Sequence, residues 1–391
     1  RDCLLSRGLG DVYKRQTIDI NMGFVPEYEE YKEQISEFLA SYILPYAEKC
    51  EKQKFVDRSL FEKIAGEGFL GANVPKKYGG SELSMLQIGI LSEEFAKASS
   101  SIRSIFTVQG MVQLAVLRWG SEKQKKKWLP EFSGGRLISA FALAEEQAGC
   151  DAGNLEAEIK KENDCFVLNG RKTWVTLGMT ADVYLVFAKY EGNIVGVLVE
   201  NDKTIKRQPI EGLLGVRASM VGNITFNNTK VPLENMIGSA EAGLKFIIPS
   251  CLDYGRYTIA WTSLGISEAC VSLCREYASE RKQFGKSIKE YQLVQEMLTK
   301  MIVLTRASET YCKEVAEIRE KCEPNSILET MSLKYFSTKV ASKVTNLAVQ
   351  LFGANGCCDK YPIERYFRDA RINEIIEGSS QMHEIIIGGN Y

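Results

Sequence analysis

A single histidine, His383, stands among 391 residues. That scarcity excludes an HExxH zinc site and any multi-histidine metal site, and it leaves at most one base for a Ser/His or Cys/His hydrolytic pair. Excess charge of either sign is also missing. The chain has 49 Lys and Arg against 50 Asp and Glu, a formal net charge of -1, so no global field draws it to nucleic acid or to an anionic membrane surface. No apolar run reaches the length of a membrane-crossing helix, which argues against a membrane span. Cysteine is present 11 times, but never as CxxC. This spacing argues against a metal site or a disulfide framework and points to reduced thiols in a cytoplasmic setting. No strand-like run leads into GxGxxG, which argues against a Rossmann dinucleotide site.

What remains is of average globular texture, 45% hydrophobic and 25% charged, and long enough for two or three folding units. Residues 1–16 (RDCLLSRGLGDVYKRQ) lack the apolar stretch of a signal peptide and any lasting period, and they read as a non-native leader. From 27 to 129 apolar residues recur at helical spacing, as with Tyr31, Ile35, Phe38, Leu39 and Tyr42, and further helices fit 84–97, 104–119 and 121–132. Between 137 and about 231 the texture turns to short β-rich runs at 165–168, 172–176, 183–188, 194–199 and 224–226, separated by Asn-Gly, Gly-Asn and Asn-Asn. Long helical periods return at 251–280, 289–322 and 327–351, which suggests a bundle. The expected order is therefore segregated α+β: a helical domain over 17–136, an antiparallel β domain over 137–236 and a helical bundle over 237–391.

The densest unusual segment is 368–388, RDARINEIIEGSSQMHEIIIG. A helical period runs into Ile375, Ile376, Glu377 and Gly378, and a new helix then starts with Ser379 or Ser380 as its N-cap. Glu377 follows two isoleucines and precedes a glycine that permits sharp backbone geometry. Two readings stay open on spacing alone: a desolvated carboxylate with a raised pKa, suited to act as a base, or a solvated acid favouring a helix N-terminus.

The segment Glu377-Gly378-Ser379-Ser380-Gln381 resembles the E-G-[ST]-[ST]-Q motif of the acyl-CoA dehydrogenase family, and the resemblance extends from Phe24 to Gly388. It implies the three-domain fold of that family, ending in a four-helix bundle, with Glu377 as the catalytic base. Some relatives carry the base on the helix matching 252–256, just before the arginine, where this chain has Gly255. Phe141-Ala-Leu143-Ala144-Glu-Glu-Gln-Ala-Gly149-Cys150-Asp is similar to the family's first signature, which holds the flavin ring and pyrophosphate. It departs at Ala144 and Cys150, where the pattern has Ser or Thr, so hydroxyl hydrogen bonds there are lost or replaced by backbone N–H donors. Trp174-Val-Thr176 resembles the strand that lies along the isoalloxazine ring. Arg281 to Lys286 with Phe284 and Gln292 resembles the segment reaching the FAD of a neighbouring subunit, and Gln350 to Gly356 with Gly353 and Ala354 resembles the second signature.

The resemblance implies FAD as cofactor, a homo-oligomer (dimer or tetramer), and oxidation of an acyl thioester to the trans-2-enoyl thioester. In that reaction Glu377 takes the α-proton while the β-hydride passes to flavin N5. The thioester carbonyl is expected against the Glu377 N–H and a flavin ribityl hydroxyl. Gly378, Ser379 and Gln381 belong to the same motif, and Asp253 and Arg256 match positions near the pantetheine end of the substrate. Electrons are expected to leave to an electron-transferring flavoprotein. Ser101-Ile-Arg103-Ser-Ile-Phe-Thr-Val-Gln109 is similar to a glutaryl-CoA dehydrogenase segment whose arginine faces the substrate's distal carboxylate. The same arginine would suit a hydroxymalonyl-type substrate on an acyl carrier protein, and a snorkelling arginine at a helix start is the alternative. A non-catalytic oligomer on the same fold is a further alternative.

Overall fold

The computed structural model describes residues 26–390; the leader at 1–16 and Phe24 lie outside them. Among the described residues six α-helices come first: α1 (Pro26–Phe38), α2 (Leu44–Gln53), α3 (Arg58–Gly66), α4 (Met85–Ala98), α5 (Ser100–Trp119) and α6 (Glu122–Ser133). Serines punctuate them. Ser84 and Ser121 each form a reciprocal capping box with a glutamine three residues on, and Ser99 caps α5 by accepting from Ile102 N. The Ser99 cap starts α5 four residues before the expected Ser104. Arg103 therefore lies inside the helix, facing the core.

The sheet comprises β1 (Ser139–Ala142), β2 (Glu158–Glu162), β3 (Cys165–Val175), β4 (Val183–Tyr190), β5 (Asn193–Glu200), β6 (Ile205–Pro209), β7 (Gly222–Pro232) and β8 (Met236–Ile237). The pairings are antiparallel with two exceptions: β1 runs parallel to β4 over four residue pairs, and β2 meets β4 in parallel at Glu158 and Lys189. The antiparallel expectation is corrected at these strands for a topological reason. A parallel pair needs a long crossover, and the segment between β1 and β4 supplies one that contains β2 and β3. The expected runs at 165–168 and 172–176 are one bent strand, with register shifts after Leu168 and after Lys172 where it pairs with β7.

A 33-residue helix, α7 (Ile248–Glu280), begins the C-terminal bundle, with Pro249 tolerated in its first turn. The hairpin β9 (Lys282–Gln283) and β10 (Lys286–Ser287) follows, then α8 (Gln292–Glu320), α9 (Ser326–Phe352), α10 (Ile363–Asn373) and α11 (Ser380–Gly388). Helices α7 to α10 pack as the four-helix bundle. One apolar core runs from α1 through the sheet into α7, and a second fills the bundle between α7, α8, α9 and α10.

Two polar knots tie the regions together. Lys97 pairs with Glu94 at 2.7 Å and Glu268 at 2.5 Å, and Lys32 joins Glu268 at 3.2 Å, linking α1, α4 and α7. Arg368 on α10 bonds Glu51 at 2.9 Å and the Leu214 carbonyl at 3.0 Å, while Asp369 accepts from Val216 N at 2.6 Å. These contacts fix α10, the helix that leads into Glu377, against both other regions.

Candidate functional site

Helix α10 ends at Asn373 and α11 starts at Ser380, with Ser379 as its N-cap. The six residues between must reverse the chain, and they do so through two consecutive positive φ angles, +57° at Glu377 and +101° at Gly378. For glycine this conformation costs little. For glutamate it stores about 1–3 kcal/mol, a cost that persists only where surroundings over-determine it. The left-handed backbone turns the Glu377 side chain onto α7. A Cβ built on Gly255 would run into its carboxyl group, with Oε1 at 3.0 Å and Cδ and Oε2 closer still. Glu377 Oε2 is out of reach of solvent and has no hydrogen-bond partner among the described residues.

Burial pushes the Glu377 carboxyl up to about 7, while the charges of Arg256, Lys334 and Arg103 oppose that rise. Of the two readings left open by the sequence, the burial of Oε2 favours the desolvated carboxylate. Arg256 Nε donates to the Glu377 carbonyl at 3.0 Å, so it holds the backbone of the turn. None of the described residues accepts a bond from the Glu377 N–H. Asp253 is paired through Oδ2 with Arg319 Nη1 at 2.7 Å, and its buried Oδ1 has no partner among the described residues.

Arg103 is 1% exposed, which excludes snorkelling to solvent. Its Nη1 donates to Thr107 Oγ1 at 2.9 Å, and Thr107 in turn reaches Thr258 at 3.2 Å, one turn from Gly255. Nε and Nη2 find no partner among the described residues. Burial lowers the guanidinium to about 10 and the charges of Glu377 and Asp369 oppose this, so Arg103 stays cationic at neutrality. A buried cation with two idle donors within electrostatic range of a buried carboxylate is costly to the fold unless a ligand meets it.

In the β domain a cleft of about 920 Å³ is lined by Ala144, Gly149, Arg171, Thr173, Trp174 and others. Trp174 is also left-handed, φ +55°, and 61% exposed, so an aromatic face on a strand is held open instead of packed. Thr176 is half-buried, Leu143 and Ala144 are partly buried, and Gly149 and Cys150 are exposed. Phe141 packs on Phe187, ring centres 5.1 Å apart. The loop is anchored from below by a buried ion pair, Lys172 to Glu145 at 2.6 Å. Lys172 also donates to the Leu143 carbonyl at 3.0 Å, and Glu145 accepts from the N–H groups of Glu156 and Ala157. An open aromatic face beside a cleft of this size fits a planar ring system. The Ala144 and Cys150 positions offer such a ligand no hydroxyl.

The remaining expected residues lie elsewhere in the chain. Arg281, Phe284, Gln292, Gln350, Gly353 and Ala354 are all exposed, Phe284 at 94%. Tyr277 ties their two segments together, stacking on Phe352 at 4.1 Å and accepting from Asn355 at 2.9 Å. At 1.5 Å of rise per residue, α7 separates Arg281 from Arg256 by roughly 37 Å. Gln381 is exposed on the first turn of α11.

Two residues near Glu377 escaped the sequence reading. Lys334, in the middle of α9, is fully buried and donates to the Gly378 carbonyl at 2.7 Å and the Glu374 carbonyl at 3.4 Å. Its signal was a lysine on the buried stripe of a long helix. The other is the packing of His383, which sits against Gly378, whose added Cβ would meet its Cε1 at 3.2 Å. Helix geometry accounts for this, since the first turn of α11 folds residue 383 back over its own start. His383 Nδ1 lies 2.9 Å from the Ser379 carbonyl, Nε2 has no partner among the described residues, and burial lowers the ring to about 4, so it stays neutral.

Three family models match the chain: acyl-CoA dehydrogenase N-terminal domain over 25–136, middle domain over 140–229 and C-terminal domain over 241–391. The chain is 31% identical over 368 residues to the probable acyl-CoA dehydrogenase FadE25 of Mycobacterium tuberculosis, covering 92% of this chain and 94% of that protein. It is 30% identical to the glutaryl-CoA dehydrogenase of Desulfococcus multivorans, with 95% and 97% covered. Among solved structures, a glutaryl-CoA dehydrogenase from Mycobacterium smegmatis in complex with FADH2 matches with a TM-score of 0.90 at 26% identity, over 95% of each chain.

Proposed function

Because the chain belongs to the acyl-CoA dehydrogenase family, we propose that it is an FAD-dependent dehydrogenase of short dicarboxylic acyl thioesters with Glu377 as its base. The observation that carries the assignment of the base is the desolvated Glu377 carboxylate, partnerless at Oε2 and turned onto α7 over Gly255. A carboxylate with its pKa raised to about 7 is a stronger base than an ordinary one and is still largely ionised just above neutrality. It removes the α-proton, the electron pair of that C–H bond becomes the new α,β double bond, and the β-hydrogen leaves with its own pair. The flavin supplies the acceptor for that hydride. The Glu377 N–H, without an acceptor in the fold, is available to the thioester carbonyl as negative charge develops on it.

Arg103 supports the dicarboxylic part of the reading. Its two idle donors match the two oxygens of a carboxylate, a pairing to which a planar guanidinium is suited. Its electrostatic coupling to Glu377 favours a short acyl chain, since the substrate's charged end and its α-carbon must then lie close together. Trp174, Thr176 and the Leu143–Cys150 loop would hold the flavin ring. Arg281, Phe284, Gln292 and the Gly353 turn, gathered far along α7, would complete the site of a second copy, which makes the enzyme a homo-oligomer. An electron-transferring flavoprotein is the proposed acceptor.

The deciding experiment pairs Glu377→Gln with a panel of mono- and dicarboxylic thioesters on CoA and on acyl carrier protein, following flavin bleaching and the mass of the enoyl product. Flavin content should persist and the rate should fall at least ~10²-fold. Wild-type flavin reduction in this variant would remove Glu377 as the base. A product from monocarboxylic thioesters alone would remove the substrate assignment.

A further inference from the structure

The turn that presents Glu377 is gripped from two helices. Arg256 on α7 donates to the carbonyl of residue 377, and Lys334 on α9 donates to the carbonyls of 374 and 378. The Lys334 contact spans two helix ends, reaching the cap residue just beyond the last turn of α10 and the carbonyl just before the N-cap of α11. A cation is favoured at the C-terminus of a helix, where carbonyl groups are left without partners.

What makes this lysine unusual is that, among the described residues, no carboxylate lies within ion-pair distance of it. The nearby Glu374 is committed to Lys339 at 3.0 Å and Arg371 at 3.2 Å, with Ser342 as a third partner. Burying an ammonium whose only partners are carbonyls opposes folding, so its gain must lie in what the carbonyls do.

We propose that Lys334 is a positioning residue for Glu377, its ammonium clamping the Glu374 and Gly378 carbonyls so that the left-handed turn stays formed and the carboxylate stays over Gly255. Without the clamp, the strained glutamate backbone relaxes toward negative φ and the side chain swings off α7. Burial lowers Lys334 to about 7 while the nearby Glu377 charge opposes the fall, so in its protonated form it also places positive charge behind the carboxylate. The other charged or titratable groups facing Glu377 are Arg256 on α7 and Arg103 on α5, with the Cys251 thiol, also on α7, in electrostatic contact. His383 on α11 stays neutral and adds no charge.

The proposal rests on Glu377 being the base, and its test separates the two. Lys334→Met, Lys334→Gln, Lys334→Arg and Glu377→Gln are compared for helix content, flavin content and the pH dependence of single-turnover flavin reduction by saturating thioester. The methionine and glutamine variants should keep their flavin and lose about 10- to 100-fold in rate, as expected for a misaimed group. The rising limb of their pH profile should move to higher pH, because a cation favouring the ionised carboxylate is gone. Arginine should recover much of the rate and the original limb. Should the methionine variant not fold, the glutamine variant, which keeps a donor without the charge, still reports the shift. An unmoved limb and an undiminished rate in the glutamine variant, with Glu377→Gln inactive, would overturn the clamp and leave the base in place. Full activity of Glu377→Gln would overturn both.

Discussion

Glu377 carries its function through a backbone conformation that its side chain disfavours, and the same burial that raises its pKa sets a stability trend. Folding favours its protonated form, so its stabilising contribution is complete below its ordinary value of 4.5 and is lost as pH rises through about 7. Glu377→Gln, neutral at every pH, should therefore melt higher than the parent above pH 7 and gain nothing at pH 4.5, a difference that calorimetry across that interval reads directly. Arg103 poses the complementary case of a buried cation awaiting an anion. Arg103→Met keeps the volume and removes the idle donors, so dicarboxylic thioesters should lose far more kcat/KM than butyryl-type ones, by about 10-fold or more for a lost charge-assisted contact. Equal losses on both substrate types would count against a carboxylate partner.

At the scale of elements, α7 and the α10–α11 turn are fitted to one another around a missing side chain. Gly255 sits in the middle of a long helix, where glycine costs about 1 kcal/mol relative to alanine. The cost is accounted for by the Glu377 carboxyl group, which occupies the place of its Cβ. Gly255→Ala should therefore strengthen the helix yet displace the base. A glutamate added at 255 while residue 377 keeps a long side chain should likewise misplace both. Moving the base requires vacating the turn: Glu377→Gly should be inactive, and adding Gly255→Glu to it should restore at least roughly 10-fold of the lost rate. Recovery in the double variant, read as flavin bleaching, checks that both positions serve one α-carbon. No recovery would indicate that the turn offers a geometry which α7 does not.

The whole molecule separates its chemistry into two ends of one helix. Arg281 lies far from Arg256 along α7, and Phe284 extends beside it almost wholly into solvent. In the proposed oligomer, this end of one copy meets the flavin of another. Arg281→Ala should accordingly weaken FAD retention by about 1.5–3 kcal/mol, the range for a contact to a charged group. Flavin loss on dilution, followed by absorbance alongside the oligomeric state, checks this. Flavin affinity that is unchanged in the variant, with the assembly intact, would remove Arg281 from the cofactor site.

The order of helices, sheet and bundle was legible in the sequence because burial imposes a period on each element. The helix starts near 84 and 121 and the cap at Ser379 or Ser380 were legible because short polar side chains satisfy helix ends locally. The strands β1, β2, β6 and β8 and the β9–β10 hairpin were not anticipated. Charge dominates β2 (EIKKE), whose strand form comes from its pairing with β3 and not from alternation of its own residues. The importance of Glu377 could be suspected from two isoleucines and a glycine around it, but whether it was solvated could not. Desolvation is a property of what packs on a residue, and here that is α7, contributed by a segment more than a hundred positions away. For the same reason Lys334 and the packing of His383 on Gly378 passed unnoticed. Sequence fixes which side chains can bond. The tertiary fold alone decides that three carbonyls of one turn meet Arg256 and Lys334, because those donors come from helices that only packing brings together.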